Sequence, residues 1–175
     1  MKSSYANYIF DFDGTIAKLI IDWQECKNLV NKHCSKNNIA NDLSLSQKIV
    51  ELGQISEHYL DVIYKLETCN GKLNYCLIKP TINFIKSLEQ EIYIISNNHS
   101  QTIVDILSKE GLIDNCKKII GIDNVTFSKP NNEAFKKIKP YINLGSSLYI
   151  GDKETDQQFA KECNLDFIYV NKIIA

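Results

Sequence analysis

Short, dense apolar runs alternate with segments of helical apolar spacing along most of the chain. Tyr8-Ile9-Phe10, Glu91 to Ile95, Lys118 to Gly121, Leu148 to Ile150 and Phe167 to Val170 are rich in Ile, Val, Tyr or Phe, with no clean polar alternation. That pattern predicts strands covered on both faces. Between them, Thr81 to Glu89 places Ile82, Ile85 and Leu88 on one side, with Pro80 at a first-turn position. Gln101 to Glu110 repeats Ile103, Ile106 and Leu107 before Gly111, a natural helix stop. Asn132 to Lys139 and Asp156 to Cys163 carry similar apolar faces. Strands alternating with single helices predict an α/β fold with a mostly parallel sheet.

Residues 21–76 break this rhythm. Trp23, Cys26, Leu29, Val30, His33 and Cys34 recur at helical intervals, as do Ile55, Tyr59, Val62, Ile63 and Leu66. The Asn-rich stretch from Ser35 to Ser46 reads as their connection, and no strand is evident. The expected organisation is a core formed by residues 1–20 and 77–175, with a small α-helical insertion at 21–76.

Composition bounds the class. A chain of 175 residues, 44% hydrophobic and 23% charged, supports one core domain with a small insertion. Its formal charge of -1 offers no basic excess for a nucleic acid polymer or an anionic membrane. Cys26, Cys34, Cys69, Cys76, Cys116 and Cys163 form no C-x-x-C pair. Their dispersed spacing predicts free, mostly buried thiols in a reducing compartment. Met1 to Tyr5 contain no leader-like apolar run, and no stretch approaches the roughly 20 apolar residues that span a bilayer. Cytoplasmic localisation is the expectation.

The chemistry-bearing residues fall just after the strands. Asp11 and Asp13 follow the first, and Ser96, Asn97, Asn98 and His99 follow the Ile94-Ile95 run. Gly151 and Asp152 follow Ile150, Asp156 comes soon after, and Lys129-Pro130 precedes a helix. In open α/β sheets such positions converge on one edge. Carboxylates brought together repel unless a cation or proton intervenes, so Asp11, Asp152 and Asp156 point to a hard divalent metal, for which Mg2+ is suited. Asp11 can attack phosphorus, and Asp13 can protonate a leaving oxygen and later accept a proton from water. Lys129 and Ser96 can stabilise charge on a transferred phosphoryl group.

Asp11-Phe12-Asp13-Gly14-Thr15, Ser96, Lys129-Pro130 and Gly151-Asp152 with Asp156 resemble the four ordered motifs of the haloacid dehalogenase superfamily. Gly111-Leu112 and Ile119 to Val125, followed by Lys129-Pro130, resemble its phosphoglycolate phosphatase and β-phosphoglucomutase-like branch. The resemblance implies a three-layer Rossmann-like core and makes 21–76 a cap. It implies Asp11 as nucleophile, Asp13 as acid/base, and Ser96 and Lys129 as phosphoryl-binding groups. It places Asp11, Asp152 and the main-chain carbonyl of Asp13 on magnesium, with Asp156 supporting that site or reaching the metal through water. Asp13 argues for phosphoryl chemistry, since dehalogenases of the superfamily lack the second aspartate.

Each residue also has a plainer reading. Asp-x-Asp-Gly alone suits a turn, Ser96 a cap, and Lys129-Pro130 a solvated lysine at a helix start. Asn97 suits either phosphate binding or bracing of the nucleophile loop, while Thr15 and His99 are candidates for substrate contact. Trp23, Tyr59 and Tyr64 read as packing. The functional expectation is magnesium-dependent hydrolysis of a small phosphorylated metabolite through an aspartyl-phosphate. A phosphomutase and a non-catalytic phosphate-binding protein are the alternatives.

Overall fold

The computed structural model describes residues 5–142 and 144–173. Met1 to Ser4, part of the stretch in which no leader is expected, and Asn143, Ile174 and Ala175 of the expected core lie outside them. The first strand, β1 (Asn7–Phe10), leads through a tight turn into β2 (Ala17–Leu19), then helices α1 (Trp23–Lys36), α2 (Leu45–Ile55) and α3 (Glu57–Glu67). The chain returns through β3 (Tyr75–Leu77) and α4 (Lys79–Ser87) to β4 (Ile92–Ile95) and α5 (Ser100–Lys109). It closes with β5 (Cys116–Ile120), α6 (Glu133–Lys136), β6 (Ser147–Gly151), α7 (Glu154–Glu162) and β7 (Asp166–Tyr169).

Five strands form a parallel sheet in the order β5-β4-β1-β6-β7. The central strands β4, β1 and β6 are buried on both faces, which is why their sequences show no polar alternation. Period-two geometry sends Tyr8, Phe10, Ile94 and Ile150 to one side, against Ile85, Ile103 and Ile106 of α4 and α5. Ile9, Tyr93, Ile95 and Tyr149 go to the other, against Phe135, Phe159 and Ala160 of α6 and α7. The expected three-layer α/β core is therefore present. Phe10 pairs with Ile94 on one flank and Ile150 on the other. The residues just beyond these strands share the sheet edge where strand order reverses about β1.

Two elements differ from the sequence expectation. Antiparallel β2 and β3 make a two-stranded ribbon on either side of α1 to α3 in the chain. Tyr75 and Cys76, which fell inside the expected helical segment, are therefore strand. The periodic run containing Ile55 and Tyr59 belongs to two helices, because Ser56 is extended (φ -161°, ψ 130°), ending α2 and capping α3. Ile55 is consequently exposed.

Helix α1 starts where the Asp22 carboxylate accepts from the amides of Gln24 and Glu25. Cys26, Val30 and Cys34 of α1, Ile49, Val50 and Leu52 of α2, and Ile63 of α3 form a separate apolar cluster. Ile122, from the segment after β5, is buried in the same cluster. Side chains of α2 hold the next loop: Gln54 donates to the Thr126 carbonyl (3.3 Å), and Gln47 accepts from the Ser128 amide (3.1 Å). All six cysteines are free; Cys26, Cys34 and Cys163 are buried, whereas Cys76 is exposed on β3. Among the described residues, no helix is long and apolar enough to cross a membrane.

Candidate active site

Asp11 leaves β1 with its amide bonded to the Ile150 carbonyl (2.9 Å), so the sheet itself sets the position of its carboxylate. Its Oδ1 accepts from Lys129 Nζ (2.8 Å) and from Ser96 Oγ (2.9 Å). Lys129 Nζ also donates to Asp156 Oδ1 (2.6 Å) and to the Tyr149 hydroxyl (2.8 Å). Its three protons are thereby matched to three acceptors. Tyr149 passes its own proton to the Ile95 carbonyl (3.0 Å), which pins the phenol between β4 and β6. Burial alone would lower the Lys129 value, but Asp11 and Asp156 outweigh it and hold the ammonium above its ordinary range. Burial pushes the Asp11 carboxyl up against the downward pull of Lys129, and Asp156 adds to the rise.

Asp156 Oδ2 accepts from the amides of Asp152 and Lys153 (3.1 Å each), closing the first turn of α7. A Cβ at Gly151 would strike Asp156, so only glycine lets the strand end lie this close to α7. Gly14 plays the same part on the facing loop. It has φ +89°, and a Cβ there would collide with the Asp152 carboxylate.

The carboxylates of Asp11, Asp152 and Asp156 offer oxygens within 4.8 Å of one another. Asp152 Oδ1 is buried and has no hydrogen-bond partner among the described residues. Burial, opposed by Lys153 and reinforced by Asp11, Asp156 and Asp13, pushes Asp152 up to about 6. A buried acceptor without a donor, inside a group of hard oxygen ligands, fits a divalent cation. Asp13 stands apart from this trio: its Oδ1 accepts from the Leu19 amide (2.9 Å), and Oδ2 lies 3.7 Å from Lys153 Nζ.

These groups open onto a cavity of about 1020 Å³ that Asp11, Asp13, Ser96, Asn97, Lys129 and Asp152 line together. Asp156 also borders it. The Asn97 side chain is committed to the Lys129 backbone, accepting from its amide (3.0 Å) and donating to its carbonyl (3.4 Å). It therefore braces the lysine loop, which favours the bracing role over direct phosphate binding.

Thr15 and His99, the two candidates for substrate contact, both stand outside the cavity wall. Thr15 is fully buried and absent from the cavity wall, because the turn after Asp13 folds its side chain inward. His99 is also outside that wall. It caps α5 by accepting from the Gln101 amide at Nδ1 (3.2 Å) and packs against the Tyr64 ring.

Two groups around the site were missed from sequence. Tyr149 lies between Leu148 and Ile150 in a buried strand, where a phenol needs a partner; that need was the available signal. Glu67, at the end of α3, is 2% exposed and lines the cavity. It continues the buried face begun by Ile63 four residues earlier, so a carboxylate in an apolar stripe was the signal. Asn98 Nδ2 donates to its Oε1 (3.1 Å), and the His99 amide to its Oε2 (3.0 Å).

Burial pushes Glu67 up to about 7 from an ordinary 4.5. The folded chain therefore holds this proton more tightly than the unfolded chain. The associated stability is fully present below the unfolded value and is lost as pH rises through the folded one. The whole linkage is about 3 kcal/mol. Glu67→Gln is expected to flatten the pH dependence of denaturant unfolding across that window; an unchanged slope would contradict the assignment.

A family model described as haloacid dehalogenase-like hydrolase matches residues 8–170. The phosphoglycolate phosphatase of Rhodobacter capsulatus is 26% identical over 111 residues, covering 63% of this chain and 51% of that protein. The chain thus spans about half the length of the curated relative it matches. A Lactobacillus plantarum structure with a provisional phosphoglycolate phosphatase designation superposes with TM-score 0.66 at 17% identity, covering 98% of this chain and 88% of that one. A haloacid dehalogenase superfamily hydrolase of Geobacter sulfurreducens gives 0.60 at 14% identity, covering 96% and 88%. The provisionally assigned Bacillus subtilis hydrolase YfnB, described as bound to magnesium, gives 0.58 at 22% identity, covering 94% and 88%. At these identities the structural likeness is one of fold.

Proposed function

The chain belongs to the haloacid dehalogenase-like hydrolases, and from that premise we propose that it hydrolyses small phosphate monoesters through a phosphoryl group carried on Asp11. The observation that supports this most directly is the Asp11 carboxylate, held by Lys129 and Ser96 on one oxygen and facing a cavity beside Asp152. An Asp11 oxygen forms the new bond to phosphorus as the ester P–O bond breaks, leaving the electron pair on the departing oxygen. Protonated Asp13 delivers its proton there, and its hydrogen bond from Leu19 keeps the side chain aimed. Once Asp11 is esterified its charge is spent, and the N–H of Lys129 turns to a phosphoryl oxygen. Asp13 then takes a proton from water, whose oxygen attacks phosphorus. The acyl-phosphate P–O bond breaks, restoring the Asp11 carboxylate and releasing phosphate.

Asp11, Asp152 and the Asp13 carbonyl would hold Mg2+, with Asp156 in support; the ion supplies positive charge against the phosphoryl oxygens. The magnesium named for the Bacillus subtilis relative supports that choice of ion. Helices α1 to α3 are read as a cap over the cavity, spanning 21–76 with its hinge in the β2–β3 ribbon. Lys18, Trp23 and Lys27 reach the same cavity. Two cations and an indole there favour a compact substrate with an additional anionic group, of which phosphoglycolate, the name carried by the curated relative, is one.

The test is a phosphate-release screen over phosphorylated metabolites, phosphoglycolate included, with magnesium and an Asp11→Asn control. Turnover is expected for small anionic monoesters, lost on chelation and restored by added magnesium. Turnover that survives chelation, or equal release by the control, would contradict the reading.

A further inference from the structure

We infer that Glu67, on the helical insertion, is a positioning residue that sets the hydrogen-bond polarity of Asn98 and thereby of Ser96 at the nucleophile. The inference rests on the phosphatase reading above and extends it to a residue outside the four motifs.

The chain of contacts is continuous and buried. Glu67 Oε1 accepts from Asn98 Nδ2 (3.1 Å), and Asn98 Oδ1 lies 3.0 Å from Ser96 Oγ. Ser96 Oγ lies 2.9 Å from Asp11 Oδ1. Glu67, Asn98, Ser96 and Asp11 are each at most 4% exposed, so each side chain relies chiefly on protein partners. An ionised carboxylate accepts and cannot donate. Wherever Glu67 is ionised, the Asn98 nitrogen must therefore face it, and the Asn98 oxygen must face Ser96, as the structure has them.

That orientation matters because the serine hydroxyl has one proton and two acceptors in reach, Asp11 Oδ1 and Asn98 Oδ1. With Asn98 oxygen available, the proton can leave Asp11, freeing a lone pair on the attacking carboxylate. It can then turn to a phosphoryl oxygen. With Asn98 reversed, the amide nitrogen donates to Ser96 Oγ, and the hydroxyl proton is committed to Asp11.

Glu67→Gln is the near-isosteric way to force that reversal. The His99 amide needs an acceptor, so the new side chain must keep its oxygen there, where Glu67 Oε2 accepts at 3.0 Å. Its nitrogen then faces Asn98, which has to present oxygen to it and nitrogen to Ser96. Asn98→Asp in the same chain undoes the effect. One carboxylate oxygen accepts from Gln at 67, the other from Ser96, and the total charge of the pair is conserved.

The experiment combines Glu67→Gln, Asn98→Asp and the double variant, measured for p-nitrophenyl phosphate hydrolysis and for denaturant unfolding above the Glu67 transition. Glu67→Gln should lower kcat about ten-fold, the scale on which supporting hydrogen bonds act, with KM unchanged and no loss of unfolding midpoint. Asn98→Asp alone sets two carboxylates face to face and should lower the midpoint; the double variant should recover both midpoint and kcat. A merely structural role for Glu67 would move KM and stability together and would not be rescued by Asn98→Asp. Unchanged kcat in Glu67→Gln, or a double variant no better than the product of the singles, overturns the inference. Absence of wild-type turnover would instead count against the phosphatase reading, and the unfolding cycle alone would then decide whether the 67–98 pairing has this polarity.

Discussion

Asp11→Asn is expected to abolish turnover while leaving the chain folded. Removing a covalent nucleophile typically costs about four orders of magnitude or more in kcat. The amide has the same shape and keeps an oxygen for Ser96 and Lys129, which bond to Asp11 Oδ1 in the wild type. Lys129 also retains Asp156 as its counter-ion. The stability change should therefore stay within about 1–2 kcal/mol. Steady-state phosphate release and denaturant unfolding on the same preparation check both halves. Residual activity within ten-fold of wild type, if the variant is folded, would remove Asp11 from the chemistry.

The largest stability effect is expected at Lys129. Lys129→Met removes the ammonium shared by Asp11 and Asp156, whose side chains are 6% and 1% exposed. It also strips Tyr149 of the proton donated to its oxygen. Breaking a buried ion pair from one side costs about 3–5 kcal/mol, because the stranded carboxylates cannot reach water. The deficit should be greatest in metal-free solution at neutral pH. It should shrink on acidification, as the stranded carboxyls protonate, or on adding magnesium. Lys129→Arg should not substitute, since a planar guanidinium cannot meet three acceptors grouped around one nitrogen. Equilibrium unfolding with and without divalent ion makes the measurement; a loss below about 1 kcal/mol would contradict an anchoring role for this pair.

Much of this arrangement was legible in the sequence because the sheet imposes it. A strand buried on both faces has few ways to be written, so Ile92–Ile95 and Ser147–Gly151 stood out with only their ends shifted. Polar residues beyond those ends had to share one edge, which brought Asp11, Ser96, Lys129 and Asp152 together in expectation and in the fold. The ribbon was harder to see. Ala17–Leu19 and Tyr75–Leu77 are each too short to display a period, and their partners lie across the whole insertion. The break at Ser56 was hidden because Ile55 falls in helical phase with Tyr59, whereas the reversal depends on one residue adopting an extended conformation.

Side-chain direction was the other limit. Thr15 adjoins the acidic motif, yet the turn made when the amides of Thr15, Ile16 and Ala17 gather on the Phe12 carbonyl points it into the core. His99 sits beside Ser96 in sequence, but the start of α5 uses its ring as a cap. Glu67 and Tyr149 acquire their roles from residues distant in the chain, so no local spacing announced them.

The central claim is that phosphorus becomes bonded to Asp11. Rapid mixing with p-nitrophenyl phosphate and magnesium, acid quenching within one turnover, and mass-spectrometric peptide mapping test it directly. The account predicts one phosphoryl group on the Asp11 peptide, labile to hydroxylamine, formed and lost at rates that match turnover and absent from Asp11→Asn. A full burst of p-nitrophenol and phosphate with that peptide unmodified throughout, or the adduct carried on a different residue, would contradict it.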